Sequence, residues 1–95
     1  MRAIVSPRAQ ADVDDIWDST AEHWGERQAA IYVSLIKAAV NTVAKDPGVG
    51  QNCDHVRPGL RRYQAGSHVV FYRVFATTIV VARVLHQRMD LRRHL

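Results

Sequence analysis

The chain has 95 residues, of which 47% are apolar and 23% charged, the make-up of one small folded domain spanning 1–95 and not of a disordered segment. No apolar run approaches the roughly 20 residues of a membrane span, so no membrane partner is expected. The net charge of +4 is unevenly spread: residues 1–46 carry five basic and seven acidic groups, whereas residues 47–95 carry eight arginines against Asp54 and Asp90.

Residues 2–5 are short and apolar and suit a first strand. Ser6-Pro7 reads as a helix start, with serine able to cap free amides and proline tolerated at the first helical position. Ala9, Val13, Ile16, Trp17, Thr20, Ala21 and Trp24 follow at spacings of three and four, which makes one apolar face. Trp17 and Trp24 are expected in the core. Gly25 stops this helix. A second runs from about Glu26 to Ala44 on a stripe of Ala29, Tyr32, Ile36, Ala39 and Val43, widened by Val33, Leu35 and Val40. Asp46-Pro47-Gly48 ends it, and the stretch through Pro58-Gly59 is loop. The period then changes to two. Leu60 to Ala65, His68 to Phe75 and Thr78 to Leu85 read as three strands, with Gly66-Ser67 as a hairpin turn and Ala76-Thr77 as a weaker one.

The expected fold class is therefore α+β, in the order β-α-α-β-β-β, with a helical hairpin packed on a small antiparallel sheet. Two-residue turns pair 63 with 70, 62 with 71, 72 with 81 and 70 with 83. One sheet face then carries Arg61, Tyr63, Val70, Tyr72, Val74, Ile79, Val81, Arg83 and Leu85. The other carries Leu60, Arg62, Val69, Phe71, Arg73, Phe75, Val80, Ala82, Val84 and His86. Both are too apolar to stay bare, so one face is expected on the helices and the other is expected to form a binding groove. Which is which stays open, because one residue more or less in a turn exchanges them.

The motifs for chemistry are sparse. Cys53 is the single cysteine, so no intrachain disulfide forms, and with no export-type N-terminus a reducing, cytoplasmic location is expected. His23, His55 and His68 are scattered without metal-ligand spacing. Asp12, Asp14 and Asp15 read as solvated helix aspartates. Gly48-Val49-Gly50 precedes no helix and is discounted as a phosphate loop. No cofactor is expected. The arginine-rich second half points to an anionic partner.

Ser6-Pro7-Arg8-Ala9 with Asp15-Ile16, and Trp24-Gly25 with Gln28-Ala29 and Tyr32, resemble the first half of ParE toxins. Pro58-Gly59-Leu60-Arg61-Arg62, Gly66-Ser67-His68 and Val70-Phe71-Tyr72-Arg73 continue the likeness. Its most specific piece is Arg83-Val84-Leu85-His86-Gln87-Arg88-Met89-Asp90, and His94-Leu95 closes it. The resemblance covers essentially the whole chain and implies the RelE/ParE fold. It implies a toxin of a type II toxin–antitoxin pair that binds and poisons DNA gyrase, blocks replication, and is neutralised by a ParD-like antitoxin in a complex of even stoichiometry.

The alternative within the superfamily is a RelE-like, ribosome-dependent mRNA endonuclease. Metal-free RNA scission needs a general base, a general acid and cations on the phosphate. Related nucleases use a tyrosine or histidine near the C-terminus. The tyrosines here are Tyr32, Tyr63 and Tyr72, none of them in the last 23 residues. Of the histidines there, His86 and His94, neither is assigned a catalytic role, His86 reading as the end of a strand that helps pack the tail. The chain is therefore expected to act by binding and not as an enzyme, with no catalytic residue assigned. The target-binding set is Arg83, His86, Arg88, Met89, Asp90, Arg92 and Arg93. The antitoxin-binding set is Arg61, Arg62, Tyr63, Tyr72 and Val81. Sequence-specific DNA binding by this chain alone is not expected.

Overall fold

A computed structural model describes all 95 residues. The first strand β1 (Arg2–Val5) leads into helix α1 (Pro7–Trp24), and helix α2 (Glu26–Lys45) returns antiparallel to it. A single 3-10 turn (Pro47–Val49) precedes the short strand β2 (Gln51–Asn52). Strands β3 (Leu60–Ala65), β4 (His68–Val74) and β5 (Thr78–His86) follow, and a one-turn helix α3 (Leu91–His94) ends the chain.

Local chemistry explains the boundaries. Ser6 caps α1, its Oγ accepting the Ala9 N–H at 3.1 Å, and Pro7 opens the helix. Gly25 alone joins the helices at φ +88°, a backbone region that a residue with a Cβ enters only at a cost. Gly66 (φ +61°) turns β3 into β4, and a Cβ there would lie 2.9 Å from the Tyr32 ring.

The five strands form one mixed sheet in the order β1-β5-β4-β3-β2. β1 runs parallel to β5, with Ala3 opposite Ile79 and Val5 opposite Val81. The sheet is thus not wholly antiparallel. The chain leaves β1 through a helical hairpin and returns to its side last, the crossover that a parallel pair requires. β3 and β4 keep the expected register, with Tyr63 opposite Val70 and Arg62 opposite Phe71. Between β4 and β5 the register slips. Tyr72 faces Val81 as expected, but Phe71 faces Arg83 and Val70 faces Val84, leaving Ala82 as the extra residue of a bulge.

That bulge decides the faces. Ile79, Val81 and Val84 join Tyr72, Val70 and Ala65 beneath the helices, against Ala9, Ile16, Ile36, Ala39 and Val43. Leu85 turns to the opposite face and packs with Cys53, Leu60, Val69 and Phe71. The expected placement of Val84 and Leu85 is therefore exchanged. Nor is the second face a bare groove: Val56 from the loop and Leu91 and Leu95 from the tail cover it.

Candidate functional site

Beyond Val81, β1 has ended and the outer rim of β5 has no neighbouring strand. Polar side chains finish it. Ser6 Oγ donates to the Ala82 carbonyl at 3.0 Å, and Asp12 Oδ2 accepts the Val84 N–H at 2.9 Å. The same carboxylate holds Arg83 in a two-pronged pair, Nε to Oδ2 and Nη2 to Oδ1, each 2.8 Å. Arg83 Nη1 also donates to the His94 carbonyl at 2.6 Å, which straps the tail to the sheet. Asp12, first through hydrogen bonding and then through its charge, raises the Arg83 pKa, while burial opposes it.

Two clefts flank this rim. One, of about 520 Å³, lies between the hairpin tip and the β3–β4 turn, lined by His23 and Trp24 of α1, Tyr32 of α2, and His68 and His86 of the sheet. The other, of about 580 Å³, runs toward the tail past Arg83, Met89 and His94. Ser19, Thr20, His68 and His86 line both, so the two make one trough beside α1.

At its centre the Tyr32 hydroxyl accepts the Ser67 N–H at 3.0 Å and bonds His68 Nδ1 at 2.5 Å. His68 in turn stands edge-on to His86, its cross-strand neighbour, with ring centres 5.3 Å apart. Desolvation, and then the charge of His86, push the His68 pKa below its ordinary 6.5. No three histidine, cysteine or acidic side chains are placed to hold a metal ion.

The target-binding set of the sequence analysis is partly gathered. Arg88, Met89, Asp90, Arg92 and Arg93 stand exposed on the tail. Asp90 caps α3 by accepting the Arg92 N–H at 3.1 Å, and lies 3.7 Å from Arg93 Nε. His86 lines the trough together with Met89, its Nδ1 accepting the Arg88 N–H at 3.2 Å, and Arg83 is committed to Asp12 and His94.

The antitoxin-binding set does not form one surface. Tyr72 and Val81 have no accessible area and lie under the helices, so they are core residues and not contact residues. Tyr72 Oη donates to the Pro47 carbonyl at 2.7 Å and accepts the Gly50 N–H at 3.0 Å. Arg61 spends its guanidinium on the carbonyls of Gly48 and Gly50, at 3.2 and 2.6 Å. Arg62 lies on the other face, its guanidinium 5.8 Å from the centre of the Phe71 ring. Tyr63 is half-buried against the helix-side core.

Two features escaped the sequence reading. Trp24, expected in the core, is 76% exposed, because a cleft and not a packed surface lies between it and the β3–β4 turn. The sequence places His68 among scattered histidines, because the expected register puts it opposite Leu85, and the Ala82 bulge brings His86 there instead.

A helical hairpin on a mixed sheet, with the second sheet face sealed by a basic tail, defines a small α+β fold. The family model described as the ParE toxin of the type II toxin–antitoxin system parDE matches residues 3–91. Toxin ParE1 of Mycobacterium tuberculosis is 48% identical over 95 residues, covering 99% of this chain and 97% of that one. Toxin ParE1 of Caulobacter vibrioides is 47% identical over 91 residues, covering 96% and 94%. Among solved structures, the chromosomal ParDE TA system from P. aeruginosa has the same fold, with a TM-score of 0.80, 23% identity, and coverage of 90% of this chain and 95% of that one. The chain belongs to the ParE toxin family of type II toxin–antitoxin systems.

Proposed function

We propose that this toxin arrests growth in the cytoplasm by binding DNA gyrase, without catalysis of its own, and that a ParD-like antitoxin encoded beside it holds it inactive. The observation that carries the binding reading is the tail. Leu91 and Leu95 anchor it on the second apolar cluster, while Arg88, Arg92 and Arg93 stay exposed. Three guanidinium groups on a strapped segment offer a preformed cationic surface to carboxylates or to DNA phosphates.

The trough supports the same reading from the other side. Arg83 is the arginine that lines it, and Asp12 already neutralises that charge. A phosphodiester inside the trough would therefore meet no unpaired guanidinium among the residues that line it. For the antitoxin, the exposed Ile31 and Leu35, one turn apart on α2, offer apolar contact, and Arg62 at the opposite edge offers charge to an acidic partner.

The deciding experiment is supercoiling by purified gyrase with increasing toxin, with and without co-purified antitoxin. Inhibition or trapped DNA breaks, relieved by the antitoxin, is the expected result. Full supercoiling at toxin levels that stop growth would reject gyrase as the target. Codon-positioned cuts in mRNA after induction would instead establish the endonuclease alternative.

A further inference from the structure

We propose that the cleft between the hairpin tip and the β3–β4 turn binds an unstacked pyrimidine base of a single-stranded nucleic acid, stacked on Trp24 and read by the ring nitrogens of His23, His68 and His86. This goes beyond gyrase binding and does not depend on it.

Trp24 has the largest exposed fraction of any large apolar side chain in the molecule, and it forms one wall of the cleft. An indole held at the mouth of a concave site gives a flat ligand a stacking surface at little cost in side-chain order. The other lining groups are mostly polar, which disfavours a lipid or an apolar helix. No lysine or arginine lines the cleft, which disfavours a phosphate as the group bound inside it. A planar heteroaromatic ring with hydrogen-bonding edges fits both conditions.

The protein's own hydrogen bonds set the edge chemistry. His23 Nδ1 lies 2.8 Å from the Ser19 carbonyl. A carbonyl only accepts, so Nδ1 carries the hydrogen and, in the neutral ring, Nε2 presents a lone pair. His86 Nδ1 accepts the Arg88 N–H at 3.2 Å, so in the neutral ring Nε2 carries the hydrogen. Tyr32 Oη already accepts from Ser67, and its own hydrogen has His68 Nδ1 as its partner. His68 Nε2 is then also an N–H. Burial, and then the charge of His86, lower the His68 pKa and so favour the neutral ring. Three imidazoles around one cleft thus supply two donors and one acceptor.

Thymine, uracil and cytosine each present two acceptors and one donor on the pairing edge, the complement of that set. Guanine presents the reverse, one acceptor and two donors. Arg88, two residues beyond His86 and exposed, is placed to meet the phosphate of a strand leaving the cleft.

Trp17→Phe leaves Trp24 as the sole indole and makes its emission the probe. Oligo(dT), oligo(dC), oligo(dA) and oligo(rU) of about 15 nucleotides, the length scale of single-strand sites, are titrated at low salt beside uridine monophosphate. Saturable quenching by the pyrimidine oligomers is expected, with oligo(dA) about tenfold weaker. Comparison of oligo(dT), oligo(rU) and the mononucleotide shows whether DNA, RNA or a free nucleotide supplies the base. Measured by anisotropy of labelled oligo(dT), Trp24→Ala is expected to lose about tenfold or more in affinity. His23→Leu, at an exposed position, should narrow the pyrimidine preference. Absence of quenching by every oligomer, or unchanged affinity in Trp24→Ala, would overturn the proposal. So would equal binding of oligo(dT) and oligo(dA), or Trp24 emission that responds only to the antitoxin, which would assign this surface to a protein.

Discussion

Asp12 and Arg83, far apart in sequence, meet through two parallel hydrogen bonds of 2.8 Å, with side chains only 13% and 12% exposed. This pair joins α1 to the unpaired rim of β5 and, through the His94 carbonyl, to the tail. Asp12→Asn is expected to destabilise the fold by about 2–3 kcal/mol, because it leaves a mostly desolvated guanidinium and the Val84 N–H with a poorer acceptor. Asp12→Leu combined with Arg83→Met should cost less than the sum of the two single changes. Urea unfolding of the four proteins measures the coupling.

Tyr72 fastens the turn at the end of α2 from inside the core. Tyr72→Phe removes the partner of both the Gly50 N–H and the Pro47 carbonyl and is expected to cost about 1–3 kcal/mol. Gly50→Ala should cost at least as much, since a Cβ there would sit only 2.8 Å from the Arg62 carbonyl and would also meet the Tyr72 hydroxyl. Thermal unfolding of both variants beside the parent checks the order.

His68 ties stability to pH. Its pKa is lowered on folding, so the unfolded chain binds the proton more readily. The contribution is fully present above about pH 6.5 and is lost as pH falls from there through the folded value. Melting temperature should therefore fall on acidification from pH 7.5 to 5.5. His68→Gln should flatten that part of the profile. A profile just as steep in the variant would place the titration elsewhere.

The tail arginines separate binding from folding. Arg88→Ala, and Arg92→Ala with Arg93→Ala, should leave stability within about 0.5 kcal/mol, since these side chains are exposed. Each is expected to weaken gyrase inhibition about tenfold in a supercoiling titration. Truncation after Leu85 is a poorer test. It strips Leu91 and Leu95 from Cys53, Leu60 and Phe71, and the shortened chain is expected to aggregate. Light scattering beside far-UV dichroism would show this.

Most of the framework was legible because it rests on local signals. Ser6-Pro7, Gly25 and Gly66 mark their boundaries by backbone chemistry, and the register of β3 on β4 follows from one two-residue turn. What escaped depends on distant parts of the chain. A bulge at Ala82 leaves no mark in a run of alternating apolar residues. That β1 runs parallel to β5 depends on where the hairpin lays the chain. Trp24 carries a perfect helical spacing, yet burial needs a surface packed against it, and a cleft lies there instead. For the site, the clustering of Arg88, Arg92 and Arg93 at the tail is legible from the sequence alone. The use of Arg61 and Tyr72 inside the fold depends on a loop whose path no pattern reveals.

The bulge on β5 works as a shift of reading frame within a strand. Residues before Ala82 address the helices by one parity and residues after it by the other, so one strand supplies both cores from a continuous apolar run. Inserting one small neutral residue after Ala82, with the bulge still one residue long, would change neither charge nor turn chemistry. It would nonetheless drive Arg83 and Leu85 toward the helices and expel Val84, undoing the Asp12 pair, the tail strap and both cores in one step. Length between Ile79 and Leu85 is therefore under tighter constraint than the identity of Ala82 itself.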